Sequence, residues 1–99
     1  MKQIHHLVLV KFKPGQDSQA SPLFAALAAL QAKLPGMVGY RFGANVSPEG
    51  LNQGFTHGFV MTFTDDAARD QYLVHPDHER VKATYLPHVE KVIVFDFEE

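Results

Sequence analysis

VEKVIVFDF, residues 89–97, is apolar on both faces of any strand it forms: Val92 and Val94 point one way, Ile93 and Phe95 the other. Side chains alternate between the two faces of a sheet, so covering one face alone leaves half of these large groups in water. HHLVLVKF near the start behaves alike, with His6, Val8, Val10 and Phe12 opposed to Leu7 and Leu9. A sheet built from such strands needs cover on both sides. The helices of this chain supply it on one. The simplest cover for the other is the sheet of a second copy, packed face to face at about 10 Å. A twofold pair is the commonest form of oligomer, and an interface of roughly 1,600 Å² suits such a face. A homodimer is therefore expected.

The rest of the chain punctuates itself clearly. Residues 3–12 read as a strand. After the breaker PGQD, Ser21–Pro22 has the form of a helix cap followed by a first-turn proline. Phe24, Leu27, Leu30 and Leu34 then make a helical stripe that stops at Pro35–Gly36. Residues 37–45 form a second strand and 47–54 a polar loop. In the third strand, 54–63, the side chains Phe55, His57, Phe59, Met61 and Phe63 share a face, opposed by the smaller Gly54, Thr56, Gly58, Val60 and Thr62. Thr64 or Asp65 caps a short helix, His75–Pro76 restarts a second one running to about Tyr85, and 88–97 is the last strand. The order β-α-β-β-α-β, with its second helical segment broken by a proline, predicts a ferredoxin-like α+β protomer, one domain over residues 1–99. The polar loop that opens NVSPEG is read as a turn held by Asn45 and Ser47 rather than a lid.

Composition narrows the function classes. A net charge of −2 without a basic run leaves no electrostatic footprint for nucleic acid. The absence of cysteine removes disulfides, thiolate metal sites and cysteine nucleophiles. LFAALAAL is far short of the ~20 apolar residues a membrane span needs, and MKQIHHLVLVKFK lacks the features of a signal peptide. A cytoplasmic setting with no membrane partner is the expectation.

The histidines carry the chemistry. His6 shares a face with Val8, Val10 and Phe12, and His57 shares one with four large apolar side chains, so both aim at the layer between sheet and helices. His78, Val81 and Tyr85 recur on one face of the last helix. With His75 as cap and Pro76 opening the helix, His78 falls in its first turn. Burial and the positive helix end both disfavour imidazolium, so His78 is expected to be neutral and able to accept a proton. Tyr72, ending the preceding helix, brings a phenol to the same pocket. A lone histidine on an apolar face is ordinarily a hydrogen-bonded core residue. Several polar heads converging on one apolar space are the usual form of a ligand site.

HHLVLVKFK, GFTHGFVMTF, YLVHPDH and the closing VIVFDFEE, in that order and over nearly the whole chain, resemble the stress-responsive dimeric α/β-barrel (Dabb) proteins. The resemblance implies protomers that pair sheet to sheet into a barrel. In a plant polyketide-cyclase branch of that family a histidine acts as base and a tyrosine assists an aldol cyclisation. The resemblance puts those roles on His78 and Tyr72, with His6 and His57 as further pocket histidines. It also sets Leu27, Phe59 and Val89 where that branch has a tyrosine, a valine and a tryptophan, so cavity shape and substrate do not carry over.

The expected site therefore has His78 and Tyr72 as the catalytic pair. His6, His57, Val8, Phe24, Leu27, Phe59, Val81 and Val92 are its ligand contacts, and no cofactor or metal is required. The expected guest is a small, largely apolar oxygenated molecule. Two alternatives stand beside it. A non-catalytic stress-responsive homodimer would fill the space with Phe24, Phe59 and Tyr85. A metal protein would use His6, His57 and His78 as nitrogen ligands, although no carboxylate is patterned beside them.

Overall fold

The computed structural model describes residues 2–99, with Met1 outside the described residues. Four strands, β1 (Ile4–Phe12), β2 (Met37–Ala44), β3 (His57–Phe63) and β4 (Val89–Glu98), form one sheet in the order β2-β3-β1-β4. Every neighbouring pair is antiparallel. Helices α1 (Ala20–Gln31), α2 (Asp66–Leu73) and α3 (Pro76–Tyr85) lie on one side. This is the expected ferredoxin-like protomer. No helix among the described residues is long and apolar enough to cross a membrane.

Three boundaries differ from the sequence reading by more than one residue, for local reasons. The first helix ends at Gln31 rather than at Pro35–Gly36. The Lys33 and Leu34 amides tighten into i−3 bonds to the Leu30 and Gln31 carbonyls at 3.0 and 3.3 Å, which leaves Leu34 buried but outside the helix. Nor is this helix capped by Ser21. A single turn of 3-10 helix (Asp17–Gln19) runs straight into α1, and the Ala20 amide donates to the Asp17 carbonyl. Ser21 and Pro22 then fall inside the first turn, where the missing proline N–H costs no helix hydrogen bond. Likewise β3 starts at His57 rather than 54. Gln53 and Gly54 adopt positive φ of 52° and 85°, and Asn52 closes a turn onto the Phe55 carbonyl at 2.8 Å. The chain joins the sheet only after that turn.

The remaining signals hold. The Asp65 carboxylate caps α2 by accepting from the Ala68 amide at 2.8 Å. The His75 imidazole caps α3, its Nδ1 accepting from the Asp77 amide at 3.0 Å, with Pro76 opening the helix. Asn45 and Ser47 hold their turn through the Ser47 and Glu49 amides.

Gly36 sets the position of α2. A Cβ there would lie 2.5 Å from the Ala68 Cβ, and its carbonyl accepts from the Thr64 amide at 2.9 Å. The glycine thus lets the helix that carries Tyr72 approach the start of β2.

The core lies between α1 and the sheet. Leu23, Phe24, Leu27 and Leu30 pack with Val8, Val10, Met61 and Phe63, all buried. The opposite face of the sheet is bare, and Ile93, Phe95 and Phe97 of β4 stand exposed on it. The inward face of β4 is also uncovered: Val92 is 46% and Val94 58% exposed. The helices lie over the other strands and stop short of this edge.

Candidate active site

The uncovered part of β4 is one wall of a cavity of about 320 Å³ between the sheet and the helices. That is the lower end of the range for small-molecule pockets. The strand register decides which side chains meet there. On the inward face His6 lies opposite Met61 and Asp96, and Val8 opposite Phe59 and Val94, while Val10 lies opposite His57 and Val92. The lining includes His6, Val8, Leu27, Phe59, Val81 and Val92, together with Tyr72 and His78. Six of the eight residues expected as ligand contacts therefore line this one cavity, and so do Tyr72 and His78.

His78 sits in the first turn of α3 with its ring nitrogen Nδ1 3.1 Å from the Leu73 carbonyl, the last residue of α2. A carbonyl only accepts, so Nδ1 carries the proton. In the neutral ring the lone pair is on Nε2. Burial lowers the His78 pKa below the usual 6.5, against the Leu73 bond, which raises it; Lys82 and His6 add to the lowering and Glu79 opposes it. The preference for a neutral imidazole expected at this position thus has a physical cause, and burial carries more of it than any charge.

Tyr72 is 1% exposed. Its ring centroid lies 4.2 Å from that of His78 and 5.8 Å from that of His6, which it meets edge-on. Burial pushes the phenol pKa well above its usual value, so Tyr72 keeps its proton at any physiological pH and has it available to donate.

His6 is held by two residues the sequence reading passed over. Its Nδ1 donates to Asp96 Oδ1 at 2.7 Å, and Asp96 Oδ2 accepts from Arg69 Nη1 at 2.9 Å. This fixes tautomer and ring orientation together. Asp96 was legible from strand parity, since Val92, Val94 and Asp96 alternate onto one face. Arg69 on α2 gave no signal.

His57 and Phe24 are not at this cavity. His57 pairs with Val10, four residues along β1 from His6, a separation of about 13 Å at strand rise. Its Nδ1 bonds the Thr56 hydroxyl at 2.9 Å and its ring meets Phe12 edge-on. It faces instead a second hollow beneath the loop that contains Asn45 and Asn52. Phe24 packs on Phe42, and its carbonyl accepts from the Tyr40 hydroxyl at 3.0 Å. The helical stripe splits, with Leu23 and Leu27 turned to the cavity and Phe24 to β2. His6, His57 and His78 consequently do not converge, and no group of three metal-ligating side chains occurs among the described residues.

A ferredoxin-like protomer with an apolar pocket between sheet and helices defines the class of protein. The particular family follows from comparison. The stress responsive A/B barrel domain (Dabb) model matches residues 4–99, and the chain belongs to that family. It is 33% identical over 95 residues to the stress-response A/B barrel domain-containing protein HS1 of Arabidopsis thaliana, covering 95% of this chain and 87% of that one. It is 27% identical to olivetolic acid cyclase of Cannabis sativa, covering 95% and 94%. Among solved structures, a dimeric ferredoxin-like protein of unknown function from Jannaschia sp. superimposes with a TM-score of 0.88 at 31% identity, covering 96% and 97%.

The first prediction concerns His78 alone. Its ring proton, followed by NMR through a pH titration, is expected to report a pKa below 6.5, with Nδ1 the protonated nitrogen of the neutral form. A value at or above 6.5, or the opposite tautomer, contradicts the assigned environment.

Proposed function

We propose that the protein binds a small, largely apolar carbonyl compound in this cavity and carries out acid–base chemistry on it, acting as a homodimer. The observation that carries the reading is the arrangement of one base and one donor. The His78 imidazole has its Nδ1 proton committed to Leu73, and the Tyr72 phenol lies beside it with its proton retained. His78 Nε2 takes a proton from the carbon next to the guest carbonyl. The electron pair moves onto the carbonyl oxygen, where the Tyr72 hydroxyl donates to the enolate. The enolate then takes a proton back at carbon, or attacks a second carbonyl and closes a ring. Isomerisation and cyclisation thus share the first step. His6, on β1 and oriented by Asp96, adds a further ring nitrogen to the cavity lining from the sheet side.

A cyclase among the similar proteins supports this class of chemistry. Leu27, Phe59 and Val89 give the pocket its own shape, so the guest is argued from this cavity alone. A purely structural role for the histidines has less support. Neither of their bonded nitrogens pairs with another histidine: Nδ1 of His6 engages Asp96, and Nδ1 of His78 engages Leu73.

Dimerisation is argued from the bare outer face, on which Ile93, Phe95 and Phe97 are each more than 40% exposed. Patches of this kind mark interaction sites, and the similar solved structure is described as dimeric.

Two outcomes are expected. In D2O, the wild-type protein accelerates exchange of the protons next to the carbonyl of butyrophenone, followed by NMR. His78→Ala loses about 10²-fold or more, and Tyr72→Phe loses a smaller factor. Wild-type exchange no faster than that of His78→Ala refutes the base. In sedimentation at micromolar concentration the protein runs at twice its 11.1 kDa chain mass, and so does His78→Ala. A species at the single-chain mass removes the dimer.

A further inference from the structure

One charged side chain stands among the residues lining the cavity, and the proposed proton transfer does not use it. Lys82 lies four residues after His78 on α3, so the two share a helix face one turn, about 5.4 Å, apart. The other lining residues are apolar or belong to the His6–Tyr72–His78 cluster, apart from Tyr85, whose phenol is polar but uncharged. The Lys82 ammonium has a single ion-pair partner among the described residues, Glu79 at 3.0 Å, with 42% of the lysine side chain and 56% of the glutamate side chain exposed. Such an exposed pair is weak and exchanges readily for another anion. Its charge also reaches the reacting group, since Lys82 helps to lower the His78 pKa.

We infer that Lys82 is an anion subsite and that the guest is an oxo acid: its carbonyl at Tyr72 and His78, its carboxylate about one helical turn away at Lys82, its apolar part against Leu27 and Phe59. This rests on the proposed function and narrows it to a substrate class. The two ends of such a molecule match the histidine–tyrosine cluster and the ammonium of Lys82, with the Tyr85 phenol as a further, uncharged polar group in the lining. A neutral ketone satisfies only one. The carboxylate also has a consequence for the chemistry. Glu79 already opposes the effect of Lys82 on His78, while His6 lowers its basicity further. A guest carboxylate at Lys82 adds a second negative charge, so the bound guest raises the basicity of the imidazole that deprotonates it.

The test uses benzoylpropionate, an aryl ketone with a carboxylate two carbons away, and its methyl ester, with binding to the intact protein measured by calorimetry at low salt. The wild type is expected to bind the acid about tenfold more tightly than the ester, a preference that shrinks as salt screens the charge. Lys82→Gln keeps helix propensity and is expected to erase the preference by weakening the acid alone, and Lys82→Arg to restore most of it. The NMR-measured His78 pKa is expected to rise with the acid bound and not with the ester. Equal wild-type affinities for acid and ester, or equal weakening of both by Lys82→Gln, overturn the subsite. The same measurement on His78→Ala separates the two readings. If that variant keeps the acid preference while the wild type exchanges no protons, the subsite stands and the base falls.

Discussion

Everything at the site depends on how β1 holds its two neighbours. As the inner strand between β3 and β4 it puts His6, Val8 and Val10 in line with Phe59 on one side and Val92, Val94 and Asp96 on the other. The helices cover the β3 side of that row and leave the β4 side open. The cavity is this mismatch between four strands of sheet and a helix layer too narrow to cover them. On the reverse side the same strands present an apolar face that no element among the described residues covers, and pairing with a second copy is the economical remedy. One geometric fact thus accounts for both the pocket and the proposed dimer.

Within the pocket, chemistry is set by what each histidine does with its Nδ1. His78 gives that proton to a helix-terminal carbonyl and His6 gives its own to a carboxylate backed by an arginine. Two imidazoles about one phenol are thereby distinguished without any difference in residue type. Burial does the rest, because it disfavours charge on His78 and on Tyr72 alike. For the imidazole that means a free lone pair; for the phenol it means a retained proton. On the proposed function, the same desolvation suits neighbouring rings to the roles of base and donor that enolate chemistry requires.

Much of this was legible in the chain. Strand parity identified the inward faces of β1, β3 and β4, and the cap signals at Asp65 and His75–Pro76 located α2 and α3 and so placed Tyr72 and His78. Position along a strand was not legible. Parity put His6 and His57 on the same face, yet only the β1–β3 register shows that four residues separate them. Phe24 failed for the helical counterpart of that reason: a stripe as wide as Leu23, Phe24, Leu27 and Leu30 faces two neighbours, and sequence spacing does not say which member meets which. Asp96 was available by counting from Val92 and Val94, and was passed over because a carboxylate on an apolar face reads as a solvent-exposed strand end. Arg69, which completes that pair, has meaning only once α2 is seen to bring its guanidinium to the Asp96 carboxylate.

The central claim is that one guest touches the imidazole at 78 and the phenol at 72 together. A crystal structure with butyrophenone bound tests it most directly. The account predicts the ketone oxygen within hydrogen-bond distance of Tyr72 Oη, about 2.7 Å, and the adjacent carbon facing His78 Nε2. Density for the ketone elsewhere on the protein, or in the cavity with its oxygen turned away from Tyr72, contradicts it.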